Sequence, residues 1–140
     1  MRIAFATGDM KTVDAHFGSA RKMAIYDVSV DEATFIEAIA FDEVSSQDGV
    51  HAEDGDDRLG AKIEALQGCA MLFVLAIGGP AAARVVNSRI HPVKLPRPES
   101  IEAVIARLQG QMAGTPPPWM RKILMADRKD MDFLEEEEAL

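Results

Sequence analysis

The sequence predicts a single α/β domain in which helices flank a mixed sheet of five strands. The strongest sign is an unbroken run of eight apolar residues, 70–77, which has no polar face and is typical of a strand covered on both sides. A helix at 81–86 and a short strand at 90–95 are predicted directly after it. Together they form a βαβ unit, whose two strands are expected to run parallel. The chain has 140 residues, 48% of them hydrophobic, which is enough for one substantial core.

Three further strands are predicted ahead of this unit. Residues 2–7 and 22–28 are apolar stretches of strand length, and the segment 8–18 between them is polar and rich in glycine and aspartate, which is typical of a functional loop. Residues 33–42 alternate in polarity after a turn, which predicts a third strand in an antiparallel meander. A polar, acidic loop at 45–57 is then expected to cap a helix that ends at Gly68. The apolar side chains of that helix are Leu59, Ile63 and Leu66.

The C-terminal part of the chain is predicted to hold one more helix and an acidic tail. Ser100 can cap the helix. Its apolar stripe consists of Ile101, Val104, Ile105, Leu108 and Met112. The prolines at 116–118 end helical structure, so Trp119 is expected to fold back onto the body. We therefore predict a domain at 1–125 and a solvated, flexible tail at 126–140.

Charge and composition argue against several classes of function. The net charge is −8, and residues 127–140 contribute −5 of it through seven acidic and two basic side chains. The sequence has no stripe of lysine and arginine of the kind that binds nucleic acid. No apolar run approaches the roughly 18 residues of a membrane span, so a cytoplasmic protein is expected. Cys69 is the only cysteine, which excludes an internal disulfide and a cluster cage made by this chain alone, because such cages usually need about four cysteines.

The predicted topology decides which residues can meet. Ligands of α/β proteins gather at the carboxyl ends of the parallel strands, where the first loop, the Gly78–Gly79 turn and residues 96–97 are expected to lie together. The glycines allow close approach, and the helix that opens at Pro80 offers N–H groups to an anion, although many such turns are only tight turns. Cys69 enters its strand at the other edge, roughly 26 Å away, so it is not expected to share a cluster with His16.

Histidine and basic residues supply the candidate ligands. The imidazole of His16, late in the first loop, can bind iron at neutral pH, and the alternative is a histidine that caps a turn. Arg21 and Lys22 can offset an anionic ligand at the same edge, or can simply be solvated. His51 and its acidic neighbours are interpreted as a solvated loop, and His91 as a structural residue at the far edge.

Five short motifs occur in order along almost the whole chain. They are MRIAFAT at 1–7, HFGSA at 16–20, IYD at 25–27, AIGGPAA at 76–82 and PWMRK at 118–122. Together they resemble the dinitrogenase iron–molybdenum cofactor biosynthesis family over residues 1–125. The resemblance implies a ribonuclease-H-like fold and the binding of iron–sulfur precursors of the iron–molybdenum cofactor, with His16 as metal ligand. With the edge geometry, the predicted cofactor-binding residues are His16, Phe17, Gly18, Ser19, Arg21, Gly78 and Gly79.

The function that this resemblance implies is that of a carrier between the cluster-synthesising enzyme and the maturation scaffold, and not that of an enzyme. A nuclease of the ribonuclease-H-like fold needs a carboxylate on its first strand, and residues 2–7 contain none. One histidine and backbone dipoles would hold a cluster loosely enough to release it. The alternative is a protein-binding regulator of nitrogenase assembly or expression without a cluster, which would use the acidic tail and the Trp119 segment.

Overall fold

The strands and helices follow the predicted order, with three elements added. In a computed structural model, residues 1–41 and 52–126 are described, with side chains for all of these except 52–58. The strands are β1 (Arg2–Thr7), β2 (Thr12–Val13), β3 (Lys22–Val28), β4 (Ala33–Ala40), β5 (Cys69–Val74), β6 (His91–Lys94) and β7 (Glu99–Ser100). The helices are α1 (Ala52–Ala65), α2 (Gly79–Asn87), α3 (Ile101–Ala113) and α4 (118–126). In these described residues, no helix has both the length and the apolar character needed to cross a membrane.

Five of the strands form one mixed sheet, in the order β4-β3-β1-β5-β6. β3 pairs antiparallel with both β1 and β4, which confirms the meander. β5 pairs parallel with both β1 and β6, and α2 connects β5 to β6, so the predicted βαβ unit is confirmed. The carboxyl ends of β1, β5 and β6 therefore lie along one edge of the sheet, together with the start of β3.

Each face of the sheet has its own core. Along β1, Ala4 and Ala6 belong to the core that α1 and α2 cover, while Ile3 and Phe5 belong to the core that α3 and α4 cover. The predicted stripe of α3 is confirmed, since Ile101, Val104, Ile105 and Leu108 are all buried. The Ser100 hydroxyl accepts a hydrogen bond from the N–H of Ala103 at 3.1 Å, which is the predicted cap.

Several predicted boundaries were wrong. Helix α1 begins at Ala52, inside the stretch predicted as a loop, and residues 45–51 of that prediction, His51 among them, lie outside the described residues. Strand β5 ends at Val74 and β4 at Ala40, earlier than predicted. The polar first loop contains β2, which pairs with β7. Helix α4 begins at the last of the three prolines, although an extended segment was expected there.

Trp119 does fold back onto the body, at the amino-terminal edge of the sheet. Its ring stacks on that of His91, with centroids 4.5 Å apart and planes at 7°. His91 is the first residue of β6 and pairs with Met71 near the start of β5, so it lies away from the edge where β1 and β5 end. Residue 126, the first residue of the predicted tail, is the last residue of α4. Residues 127–140 lie outside the described residues.

Candidate functional site

The loop after β1 lies directly on the segment after β5. His16 forms a parallel β-bridge with Ala76. The N–H of Phe17 donates to the carbonyl of Ala76 at 2.8 Å, and the N–H of Leu75 donates to the carbonyl of Ala15 at 3.0 Å. These backbone hydrogen bonds fix His16 beside the chain that leads into the Gly78–Gly79 turn.

An open depression of about 480 Å³ lies where the two segments meet. It is lined by His16, Gly18, Ser19, Ala76, Ile77 and Gly78. His16, Gly18 and Ser19 are exposed to solvent. We call this feature the rim depression. It brings His16 together with Gly78 at the start of α2, as predicted, but residues 96–97, which were expected at the same place, do not line it.

Gly78 is the residue before the first turn of α2. Its φ of −67° and ψ of 153° suit any L-amino acid, so the backbone conformation does not require glycine here. A Cβ atom added at Gly78 or Gly79 would meet no other atom within 4 Å. The absent side chains therefore leave open space in front of the helix. Pro80 occupies the first turn, where it removes an N–H group that needs no intrahelical acceptor.

Three predicted residues, Phe17, Arg21 and Gly79, do not line the rim depression. The ring of Phe17 is fully buried in the core beneath α1 and α2, and its N–H is taken by Ala76, so Phe17 supports the loop and presents no group to a ligand. Arg21 is exposed at the same edge, just before β3, and its carbonyl accepts a hydrogen bond from the N–H of Phe41. Arg21 can therefore act on a ligand only from beside the depression.

The beginning of the same loop is ordered by one carboxylate. Asp9 accepts hydrogen bonds from the N–H groups of Lys11 and Thr12 at 2.9 and 2.8 Å, and from the hydroxyl groups of Thr7 and Thr12. The hydrogen bond from Lys11, followed by that from Thr12, lowers the pKa of Asp9 to about 2. The carboxylate is therefore ionised at neutral pH, in the form that accepts these hydrogen bonds.

The amino-acid sequence matches a known family over most of its length. Residues 1–111 match the family described as dinitrogenase iron–molybdenum cofactor. The chain belongs to the dinitrogenase iron–molybdenum cofactor family. It is 52% identical over 124 residues to Protein NifX of Sinorhizobium fredii, which covers 89% of this chain and 78% of that one. It is 46% identical over 140 residues to Protein NifX of Rhodobacter capsulatus, which covers 98% of this chain and 87% of that one.

A solved structure has the same fold as this member of the cofactor family. The crystal structure of PH0822 superimposes with a TM-score of 0.59 at 21% identity, covering 79% of this chain and 89% of that one. Membership of the dinitrogenase iron–molybdenum cofactor family indicates a role in nitrogen fixation, in the biosynthesis of the nitrogenase cofactor.

One residue beneath the rim depression was missed from the sequence. Lys62 of α1 is only 6% exposed, and its ammonium group donates to the carbonyls of Phe17, Gly18 and Ala20 at 3.0, 2.9 and 3.1 Å. The ammonium also lies 5.3 Å from the ring centroid of Phe41 and 5.9 Å from that of Phe17. The sequence did contain a sign of this burial. Lys62 falls at the helical spacing of the apolar stripe of α1, where a charged residue is unexpected.

Cys69 lies at the opposite edge from the rim depression, as predicted. It pairs with Arg2 at the start of β1, and seven residues, or roughly 23 Å of extended chain, separate it from Ala76. The thiol is buried, and this burial raises the pKa of Cys69 to about 11, with Glu37 adding to the rise and Arg2 opposing it. Cys69 is therefore placed and protonated as a structural residue of the core.

We expect Cys69 to react slowly with a thiol reagent in the folded protein. A pKa of about 11 reduces the thiolate fraction of Cys69 at pH 8 about 100-fold relative to an ordinary thiol, and burial restricts access further. Labelling with a chromogenic disulfide at pH 8 should be at least about 100-fold slower in the native chain than in denaturant. Cys69→Ala gives the background, and equal rates in the native and denatured chains would contradict the burial of this thiol.

Proposed function

We propose that this protein carries an iron–sulfur precursor of the iron–molybdenum cofactor in the rim depression. It receives this cargo from the enzyme that synthesises it and hands it to the scaffold that completes it. The observation that carries the proposal is the exposed imidazole of His16 in an open depression whose other walls are small side chains, Ile77 and the backbone at the mouth of α2. Family membership supports the nature of the cargo.

The groups around the rim depression suit a negatively charged cluster. A neutral imidazole is a ligand for iron. The first N–H groups of α2 have no intrahelical acceptor and carry partial positive charge, and Pro80 leaves those of Gly79 and Ala81 as donors at the mouth. Because Gly78 adds no side chain, a cluster can approach this backbone closely. One strong ligand is thus combined with several weak, diffuse attractions.

This combination favours transfer over permanent storage. Four thiolates would surround a cluster and hold it tightly, whereas one imidazole leaves most of the cargo's metal sites open to an acceptor protein. The depression is open among the described residues, so an acceptor can reach the cargo without displacing any of them. We therefore propose a carrier and not a catalyst, with the cofactor-assembly proteins as its partners. The mixed sheet with helices on both faces supports the ribonuclease-H-like assignment of this carrier fold.

Anaerobic loading tests the proposal. The purified chain is mixed with isolated precursor cluster, separated from free cluster by gel filtration, and assayed for iron and for visible absorbance. A carrier elutes coloured, with iron, and then loses both to an apo-scaffold added in excess. A regulator that binds only protein elutes colourless after the same treatment, and this result would favour the alternative function.

A further inference from the structure

The turn that carries the rim residues is gathered around a buried positive charge. An ammonium group has three N–H donors, and the carbonyls of Phe17, Gly18 and Ala20 all accept from Lys62 at 3.1 Å or less. These residues are 42 to 45 positions away from Lys62 in the chain, so the contact ties α1 to the first loop. Burying a charge is costly unless it is compensated, and three carbonyl dipoles and two aromatic faces provide compensation here.

The carbonyls that accept from Lys62 belong to the same turn as the residues that line the rim depression. Three carbonyl oxygens of the turn are turned inward to Lys62, while the side chain of His16 and residues Gly18 and Ser19 line the rim depression. The turn therefore uses three of its carbonyl oxygens, which would repel an anion, as acceptors for the buried Lys62.

We infer that Lys62 is a positioning residue for the cargo site, holding the 17–20 turn so that His16, Gly18 and Ser19 keep their places at the rim depression. The part of this inference that concerns cargo rests on the proposed function. The part that concerns the turn does not, because it can be measured in the cargo-free chain. Partners that orient a metal ligand from behind typically change metal affinity about 10- to 100-fold when they are removed.

Amide hydrogen exchange in the cargo-free protein tests whether Lys62 acts locally. The N–H groups of Phe17 and Leu75 join the loop to the segment after β5, and the N–H of Leu108 in α3 reports on the opposite face of the sheet. In Lys62→Met, exchange at Phe17 and Leu75 should accelerate at least about tenfold more than exchange at Leu108. Equal acceleration at all three amides, or none at any, would overturn the inference.

Cargo retention in the same variants tests the consequence for the site. Lys62→Met should retain cargo about 10- to 100-fold more weakly at equal folded fraction. Lys62→Arg, which keeps the charge and the N–H donors, should restore most of the retention, and Lys62→Gln, which keeps two donors without the charge, should fall between. If Lys62→Met does not fold, Lys62→Gln takes its place in both measurements.

Ile63→Ala is the matched control for general destabilisation. Ile63 is the next residue of α1 and is buried in the same core, but it makes no hydrogen bond to the turn through its side chain. Equal loss of retention in Ile63→Ala and Lys62→Met at matched folded fraction would overturn the positioning role. A wild-type chain that retains no cargo would defeat the proposed function instead, and the exchange rates would still decide whether Lys62 holds the turn.

Discussion

Replacement of His16 by alanine is expected to abolish most of the cargo binding. Among the described residues that line the rim depression, His16 is the one with a side-chain nitrogen ligand, and the Ser19 hydroxyl is a weaker ligand for iron. Removal of a mere supporting residue costs about 10- to 100-fold in metal affinity, so loss of a direct ligand should cost at least about 100-fold. Iron per chain after anaerobic gel filtration measures this effect.

The fold should not respond to the same substitution. His16 is exposed, and exposed positions usually change the free energy of unfolding by less than about 0.5 kcal/mol. His91→Gln removes a histidine at the opposite edge and should leave cargo binding intact, although the loss of its stacking on Trp119 can lower the melting temperature. Equal iron content in wild type and His16→Ala would remove His16 from the ligand set.

A leucine at Gly78 is expected to block the rim depression while leaving the fold unchanged. The Gly78 backbone already has an extended conformation that leucine adopts, and a Cβ added there meets no atom within 4 Å. Gly78 lines the rim depression, so the new side chain adds bulk at the wall of the proposed cargo site. We expect cargo affinity to fall about tenfold or more, by titration of the anaerobic chain with precursor cluster, and the melting temperature to stay within about 2 °C.

Gly110→Leu is the control for adding an apolar side chain to this protein. Gly110 also has no atom within 4 Å of an added Cβ, but it lies in α3, on the opposite face of the sheet from α2. This variant should bind cargo like the wild type. If Gly78→Leu also binds cargo normally, the cargo does not approach the mouth of α2, and the glycine turn is only a tight connection.

The parts of the fold that the sequence predicted best are those with an unambiguous apolar pattern. The run at 70–77 identified a central strand, and the helix and strand after it fixed the parallel connection of β5 and β6. The spacing of Ile101, Val104, Ile105 and Leu108 identified α3, and the cap at Ser100 located its start to the residue. In each case a local pattern and its tertiary burial agree.

Elements that depend on distant partners were not predictable in the same way. Strands β2 and β7 have two residues each, and they are strands only because Thr12 meets Ser100 and Val13 meets Glu99. Helix α4 begins at the last of three prolines, a residue type tolerated in a first helical turn, and it is stabilised by burial of Met120 against the sheet. Neither pairing nor burial of this kind leaves a periodic signal in so short a segment.

The position of the candidate site was predictable from the sequence, but the roles of Lys62 and Phe17 in it were not. Parallel topology alone indicated that the first loop and the Gly78–Gly79 turn share an edge, because the carboxyl ends of β1 and β5 must be neighbours. The role of Lys62 could not be derived in that way, since its partners are backbone carbonyls, which any sequence possesses. The burial of Phe17 was equally hidden, because an aromatic residue in a polar loop suits either a ligand surface or a core.

The location of iron in a crystal of the loaded protein decides whether the cargo binds in the rim depression. Crystals of the anaerobically loaded protein should show an anomalous iron signal within bonding distance of an imidazole nitrogen of His16, inside the rim depression and in front of the first turn of α2. An iron signal beside Cys69, or at any surface away from His16 and Gly78, would contradict cargo binding in the rim depression.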